Sequence, residues 1–146
     1  QVVTGTTIAT GVSTPFSTTG TVYYRGDNTV VATDSAGQRF LFLPVSFPAT
    51  VRAGDTGVTG TGTEVNTNCD QVSFGSNITG AYSVASDTAN SLLVTFVENE
   101  RNPFSSSETQ TSTVYRIDTS GNVSLVSVTA TRSLLSSVFQ TLVFTF

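Results

Sequence analysis

SVFQTLVFTF, the sequence of residues 137–146, alternates between two sets of side chains. One set is apolar except for Gln140 and comprises Val138, Leu142, Phe144 and Phe146. This two-residue period predicts a β-strand, because successive side chains of a strand point to opposite faces. Since no polar residue follows the last phenylalanine, we expect this strand to be buried in the chain's own core or against a neighbouring molecule.

The composition of the whole chain favours strands over helices. Thr and Ser together make up roughly a third of the 146 residues, whereas 11% are charged. Hydroxyl and β-branched side chains favour strands and turns and are weak helix formers. The length suits one domain with one core. We therefore predict an all-β fold, a single antiparallel β-sandwich or jelly-roll-like domain over residues 16–146, with an extended N-terminal arm at residues 1–15 and an apolar C-terminal strand.

Turn residues divide the chain into short β-branched and aromatic segments, a pattern typical of sandwiches, jelly rolls and barrels. Besides 137–146, we predict strands at residues 21–24, 29–33, 38–43, 71–74, 78–84, 91–97, 111–117 and 123–132. Hairpin turns are expected at residues 25–28, 34–37 and 118–122, where Gly, Asp and Asn cluster. Residues 54–68, rich in glycine and threonine, are predicted to form a long loop or a polar edge hairpin, and residues 98–107 a second long loop.

Charge and hydropathy argue against two classes of partner. The net charge is −4 and the six basic residues are dispersed arginines, so we expect no nucleic acid to bind. The longest apolar run, residues 40–49, contains two prolines and is about half the ~20 residues that a membrane helix requires. An eight-stranded outer-membrane protein would fit the chain length, but the absence of Trp leaves no aromatic girdle. We expect no insertion into a lipid bilayer.

The side chains that usually carry catalysis are missing. Without His or Lys, the chain lacks the common base for an activated Ser or Cys and the amine for Schiff-base chemistry. Two carboxylates could still hydrolyse a glycoside, although no Trp is present to hold a sugar. Glu98 and Glu100 share a strand face and could hold calcium, but the dense acids of an EF-hand loop are absent. We predict no enzyme, no metal and no cofactor.

Export from the cell is indicated by the first residue, Gln1, which is typical of a mature chain without its leader, or of a chain cut at a boundary. In an exported chain, Asn77 and Asn122 are candidate glycosylation sites, because each begins an Asn-X-Ser/Thr sequence. Cys69 has no partner for an internal disulfide. We expect it to be a free thiol or to link two molecules.

The predicted arm and the predicted C-terminal strand suggest how the chain works. An extended segment that pairs with an open sheet edge of a neighbour satisfies main-chain hydrogen bonds and fills pockets with alternate side chains. Used head to tail, this contact propagates as a filament. The candidate interface residues are Val2 or Val3, Ile8 and Val12 of the arm, with Leu142, Phe144 and Phe146 of the last strand.

These observations predict a non-enzymatic, secreted structural subunit at the cell surface. Its partners would be copies of itself, joined by strand exchange into a filament, pilus-like fibre or coat. The alternative is a secreted lectin-like or adhesin domain that binds a glycan with the segments 54–68 and 98–107. A capsid jelly roll is a third reading, weakened by the absence of a basic arm.

Overall fold

The computed structural model describes residues 2–9, 12–25, 30–35, 37–43, 50–73, 75–134 and 137–145. These residues form ten strands: β1 (Val2–Ala9), β2 (Val12–Tyr24), β3 (Val30–Ser35), β4 (Gln38–Phe42), β5 (Thr56–Val65), β6 (Asn77–Thr88), β7 (Ser91–Asn102), β8 (Ser107–Asp118), β9 (Val123–Leu134) and β10 (Ser137–Thr145). The described part contains no helix long and apolar enough to cross a membrane.

All ten strands lie in one antiparallel sheet that curls into a half-barrel. Their order in the sheet is their order in the sequence, so each strand pairs with the strands before and after it in the chain. The all-β, antiparallel prediction is confirmed. A second sheet packed on the first, which a sandwich or jelly roll requires, is not present among the described residues, so that finer prediction is not confirmed.

The prediction of a long loop or a polar edge hairpin at residues 54–68 is wrong in both forms, because β5 is a ten-residue strand between β4 and β6. Its glycines leave space for large neighbours: a Cβ at Gly62 would lie 2.5 Å from Ile78 Cγ2 and 2.9 Å from Phe42 Cε1. In the same way, a Cβ at Gly57 would lie 2.9 Å from Tyr82 Cζ. The apolar surface that β5 lacks is thus supplied by the adjacent strands.

The second predicted loop, residues 98–107, is also wrong over most of its length. The strand β7 continues to Asn102 and β8 begins at Ser107, so the connection consists of residues 103–106. The Asn102 Oδ1 atom caps this turn by accepting hydrogen bonds from the main-chain nitrogens of Phe104 (2.9 Å) and Ser105 (3.1 Å). Pro103, which has no main-chain N–H to donate to a sheet, is the first residue of this turn.

Other predicted elements have mixed outcomes. The predicted strand at residues 71–74 is wrong where it is described, since Gln71 forms only an isolated bridge to Val65. The turn at residues 118–122 is confirmed by the left-handed Gly121 (φ 82°) and by a hydrogen bond from its nitrogen to Asp118 O at 3.0 Å. Residues 26–28 of the predicted turn at 25–28, Thr29 at the start of the next predicted strand, and Phe74 lie outside the described residues.

The cross-strand register divides the side chains between two faces. The inner face carries aromatic and aliphatic residues, among them Phe40, Val84, Val94, Phe96 and Tyr115, of which Phe40, Val84 and Val94 are buried. The Phe96 ring lies 5.9 Å from the Tyr115 ring in an edge-on arrangement and 6.4 Å from the Tyr82 ring. Such aromatic contacts stabilise the sheet beyond the area they bury. The outer face alternates hydroxyl residues with exposed aliphatic ones such as Val58.

Candidate assembly edges

β1 and β10 end the strand order of the described sheet, so each is paired on one side only along its whole length; within the sheet, β2 residues 12–19 pair with β1 alone and β5 residues 56–60 with β6 alone. β1 pairs with β2 and β10 pairs with β9, and these two edge strands stand at opposite ends of the strand order. An edge strand presents a row of unpaired main-chain N–H and C=O groups, which is a template for another strand. The sheet therefore offers two candidate sites for pairing with another chain.

The end strands of this sheet lack the charged residues that usually protect edge strands from pairing with another sheet. Every strand from β3 to β9 contains at least one charged residue, whereas β1, β2 and β10 contain none. Soluble proteins usually place charges on edge strands, because a charge opposes pairing with a second sheet. Here the charges lie on the interior strands, and two of the ion pairs, Arg39 with Asp34 (2.8 Å) and Arg116 with Asp87 (2.7 Å), link interior strands to each other.

The β10 edge also exposes apolar surface. The Val143 side chain, on the outer face opposite Thr129, is 63% exposed. Its neighbours Thr141 and Thr145 are exposed and uncharged, and Leu142 is half-buried on the inner face opposite Ala130. A second strand could pair with β10 and place its side chains beside those of both faces without burying a charge of that strand.

The accessible surface of the chain is large for its mass. It measures 9489 Å², whereas a compact monomer of 15.3 kDa exposes about 7,100 Å². The excess of about one third arises because a single sheet has no second layer to cover its faces. At about 2,400 Å², the excess is larger than the roughly 1,600 Å² that a subunit buries when it makes a standard contact of about 800 Å² on each of two sides.

The structure separates the two groups of predicted interface residues. Val2, Val3 and Ile8 lie on β1, opposite Thr19, Thr18 and Ser13 of β2, and Val12 begins β2. Leu142 and Phe144 lie on β10 at the other edge, opposite Ala130 and Val128 of β9. Phe146 lies outside the described residues. The arm of residues 1–15 thus contains β1 and the start of β2, and its use as a donor stays a prediction.

The inner face has an apolar end and a polar end. The apolar end holds an open cavity of about 370 Å³, lined by Thr50, Val51, Val94, Phe96, Tyr115, Ile117 and Val123. Toward the polar end, Glu98 lies opposite Gly80 and Thr111. The Glu98 residue keeps much of its surface exposed, but protein atoms surround its carboxyl group, and this burial raises the pKa of that carboxyl.

The two candidate glycosylation sites occupy different settings. Asn77 is an exposed first residue of β6, and the Ile78 that follows it is half-buried against β5. Asn122 is exposed in the β8–β9 turn, and its Nδ2 donates a hydrogen bond to Asp118 Oδ2 at 2.8 Å. This hydrogen bond lowers the pKa of Asp118, helped by the main-chain nitrogens of the turn. A sugar at Asn122 would replace one amide hydrogen and leave the other to donate.

Other candidate groups stand apart from the edges. Cys69 is a free, exposed thiol in the turn after β5, with a left-handed backbone (φ 66°). In the described part of the chain, no three His, Cys, Asp or Glu side chains come together as they would to hold a metal ion. Glu98 and Glu100 do share the inner face, as the sequence indicated.

Comparison with known proteins yields no relative. No protein-family model, no curated protein and no solved structure matches the chain.

The sequence predicted an interface at the last strand, which stays a prediction, but it did not indicate the feature common to both edges. The signal was present, since the charged residues of the chain lie between residues 25 and 132. Its meaning depends on the strand order, which places the uncharged segments at the two sides of one sheet.

Proposed function

We propose that the chain is a non-enzymatic structural subunit that assembles with copies of itself through the edges of its sheet. The observation that carries this proposal is the absence of charge on β1 and β10, the two strands that end the strand order. An edge without charge and without a covering segment in the described structure pairs readily with another strand. On β10, the exposed Val143 adds apolar surface to this edge.

The setting that suits such a subunit is outside the cell, as part of a surface filament, a pilus-like fibre or a coat. Solubility of the monomer then rests on hydroxyl groups, and glycosylation at Asn77 or Asn122 is compatible with their exposure. Two modes of contact are open: exchange of β1 between neighbours, as the sequence predicts, or addition of one edge to another. A sandwich or jelly-roll arrangement stays a prediction, which a neighbouring copy packed on the inner face would satisfy.

The test compares two exposed residues that differ in their place in the sheet. Val143 lies on the end strand β10, whereas Ala81 on β6 pairs with Val58 of β5 and with Val97 of β7, and both residues are exposed on the outer face. A lysine at either position meets solvent, but only Val143→Lys puts a charge on an open edge. We expect the unmodified chain and Ala81→Lys to form large assemblies in negative-stain images and light scattering, and Val143→Lys to stay a folded monomer by circular dichroism.

Three results would count against the proposal. Assembly of Val143→Lys to the same extent as the unmodified chain would show that the β10 edge is not used. Equal loss of assembly in Ala81→Lys would move the contact to the outer face. A chain that stays monomeric without any substitution would remove the basis for a structural subunit.

A second candidate function is glycan binding by a secreted lectin-like domain. The cavity on the inner face supports it, because Phe96 and Tyr115 offer aromatic surfaces on which a sugar ring could stack. This candidate site would lie on the inner face of the sheet, whereas the sequence indicated the segments 54–68 and 98–107. A glycan array would test it: binding that Tyr115→Ala abolishes would favour this candidate, and the absence of binding would reject it.

A further inference from the structure

We infer that the contact between copies is an addition of edges, in which β10 of one copy pairs with the open side of β1 of the next, while β1 remains on its own β2. This inference rests on the proposed function. In place of an exchange of β1, the open side of β10 meets the open side of β1. Repeated contacts of this kind join unlike surfaces, and they extend the assembly when the rotation between successive copies does not bring the last copy back to the first.

Exchange of β1 would keep its pairing with β2 and leave both ends of the sheet open. The two strands form eight consecutive residue pairs without a bulge, from Val2 with Thr19 to Ala9 with Val12. Exchange would make the same eight pairs between two copies, with β1 again covering β2. The outer side of β1 and the whole β10 edge would stay as open as before. Addition of β10 to β1, by contrast, covers both uncharged edges with one kind of contact.

The direction of the strands fits this addition. Every neighbouring pair in the described sheet is antiparallel, so strands alternate in direction from β1 to β10. With ten strands, the first and the last run in opposite directions. A copy placed beside another in the same orientation therefore presents its β1 antiparallel to the neighbour's β10. The edges also match in length, since β1 has eight residues and β10 has nine.

The residue sizes favour unlike edges over like ones. β10 contains Val, Phe, Leu, Val and Phe, whereas β1 has three threonines, a glycine and an alanine among its eight residues. Within the sheet, β5 already pairs small residues with large ones, as Gly62 does with Ile78 and Phe42. Alternation of large and small residues lets neighbouring strands interdigitate. Two β10 edges would instead place large residues against large ones.

The first experiment locks β1 to its own β2 in a Cys69→Ser background. Thr4 faces Ser17 in the register and Thr7 faces Thr14, and directly opposed residues of antiparallel strands are close enough for a disulfide. Thr4→Cys with Ser17→Cys, and separately Thr7→Cys with Thr14→Cys, sample both kinds of antiparallel pair. We expect the oxidised chains to assemble as fully as the reduced ones. Assembly only after reduction would establish exchange and overturn the inference.

The second experiment mixes two chains that are blocked on different edges. Val143→Lys blocks β10, and Thr6→Lys places a charge on β1. We expect each variant alone to sediment as a monomer and an equimolar mixture to form a one-to-one dimer, because only one compatible pair of edges remains. Dimers of either variant alone would show pairing of like edges and overturn the inference. An unmodified chain that never assembles would refute the proposed function itself, so the two failures are distinct.

Discussion

The position of β5 in the middle of the sheet can be tested by adding one methyl group. In Gly62→Ala, the new Cβ would lie 2.5 Å from Ile78 Cγ2 and 2.9 Å from Phe42 Cε1, well inside the ~3.5–4 Å of favourable carbon contacts. Overpacking of this kind costs about 1–3 kcal/mol. The lower chain entropy of alanine offsets roughly 0.5–1 kcal/mol of that cost, since Gly62 does not need a left-handed backbone.

We therefore expect Gly62→Ala to lower the free energy of unfolding by about 1–2 kcal/mol. For a chain of this size the melting temperature should fall by roughly 2–4 °C for each kcal/mol. Urea unfolding followed by circular dichroism measures the change. If residues 54–68 were a solvated loop, the same substitution would instead stabilise the protein by about 0.4–1 kcal/mol. The sign of the effect thus separates the two structures.

Two control substitutions test whether the lost stability of Gly62→Ala comes from the contact of its new Cβ with Ile78 and Phe42. Thr61 precedes Gly62 and is exposed on the outer face, so Thr61→Ala should cost less than about 1 kcal/mol. Ile78→Ala removes the nearest methyl group, so Gly62→Ala in that background should cost less than it does alone. Additive effects of the two substitutions, or stabilisation by Gly62→Ala, would refute the packing that we describe.

Two carboxyl groups predict how stability changes with pH. Burial raises the pKa of Glu98, so the folded state loses stability as pH rises through that raised pKa. We therefore expect Glu98→Gln, but not Glu100→Gln, to be more stable than the unmodified chain at neutral pH. Parallel curves of stability against pH for Glu98→Gln and the unmodified chain would contradict this. The hydrogen bond from Arg116, followed by that from Ser91, lowers the pKa of Asp87, so its contribution is present above the ordinary carboxyl pKa and is lost as pH falls through the lowered one. Asp87→Asn should flatten the decline of stability in acid, and urea unfolding at a series of pH values that leaves the decline unchanged would contradict it.

Local patterns predicted the strands that alternate clearly and the turns that carry their own chemistry. The alternation in residues 137–146 corresponds to β10, and the Asp118–Asn122 turn is stabilised by hydrogen bonds among its own residues. Asp55 and Asp118 accept hydrogen bonds from main-chain nitrogens in turns, whereas Asp34 and Asp87 form ion pairs with arginines on other strands. A local sequence pattern gives no information about a partner on another strand.

The main misreading has the same physical origin. Residues 56–65 have little apolar surface of their own, and a strand there is stable because Phe42, Ile78 and Tyr82 fill the space above its glycines. Those residues are distant in sequence, so composition alone indicated a loop. The candidate site depended on strand order in the same way, because uncharged segments become exposed edges only when the sheet places them at its two sides.

The most direct test of assembly through open edges is sedimentation velocity of the unmodified chain over a range of concentrations, with Val143→Lys measured beside it. Edge addition predicts that the unmodified chain grows from the 15.3 kDa monomer past the dimer to a distribution of larger species as concentration rises, while the variant sediments as a monomer throughout. A single monomer species for both chains at every concentration would contradict the account.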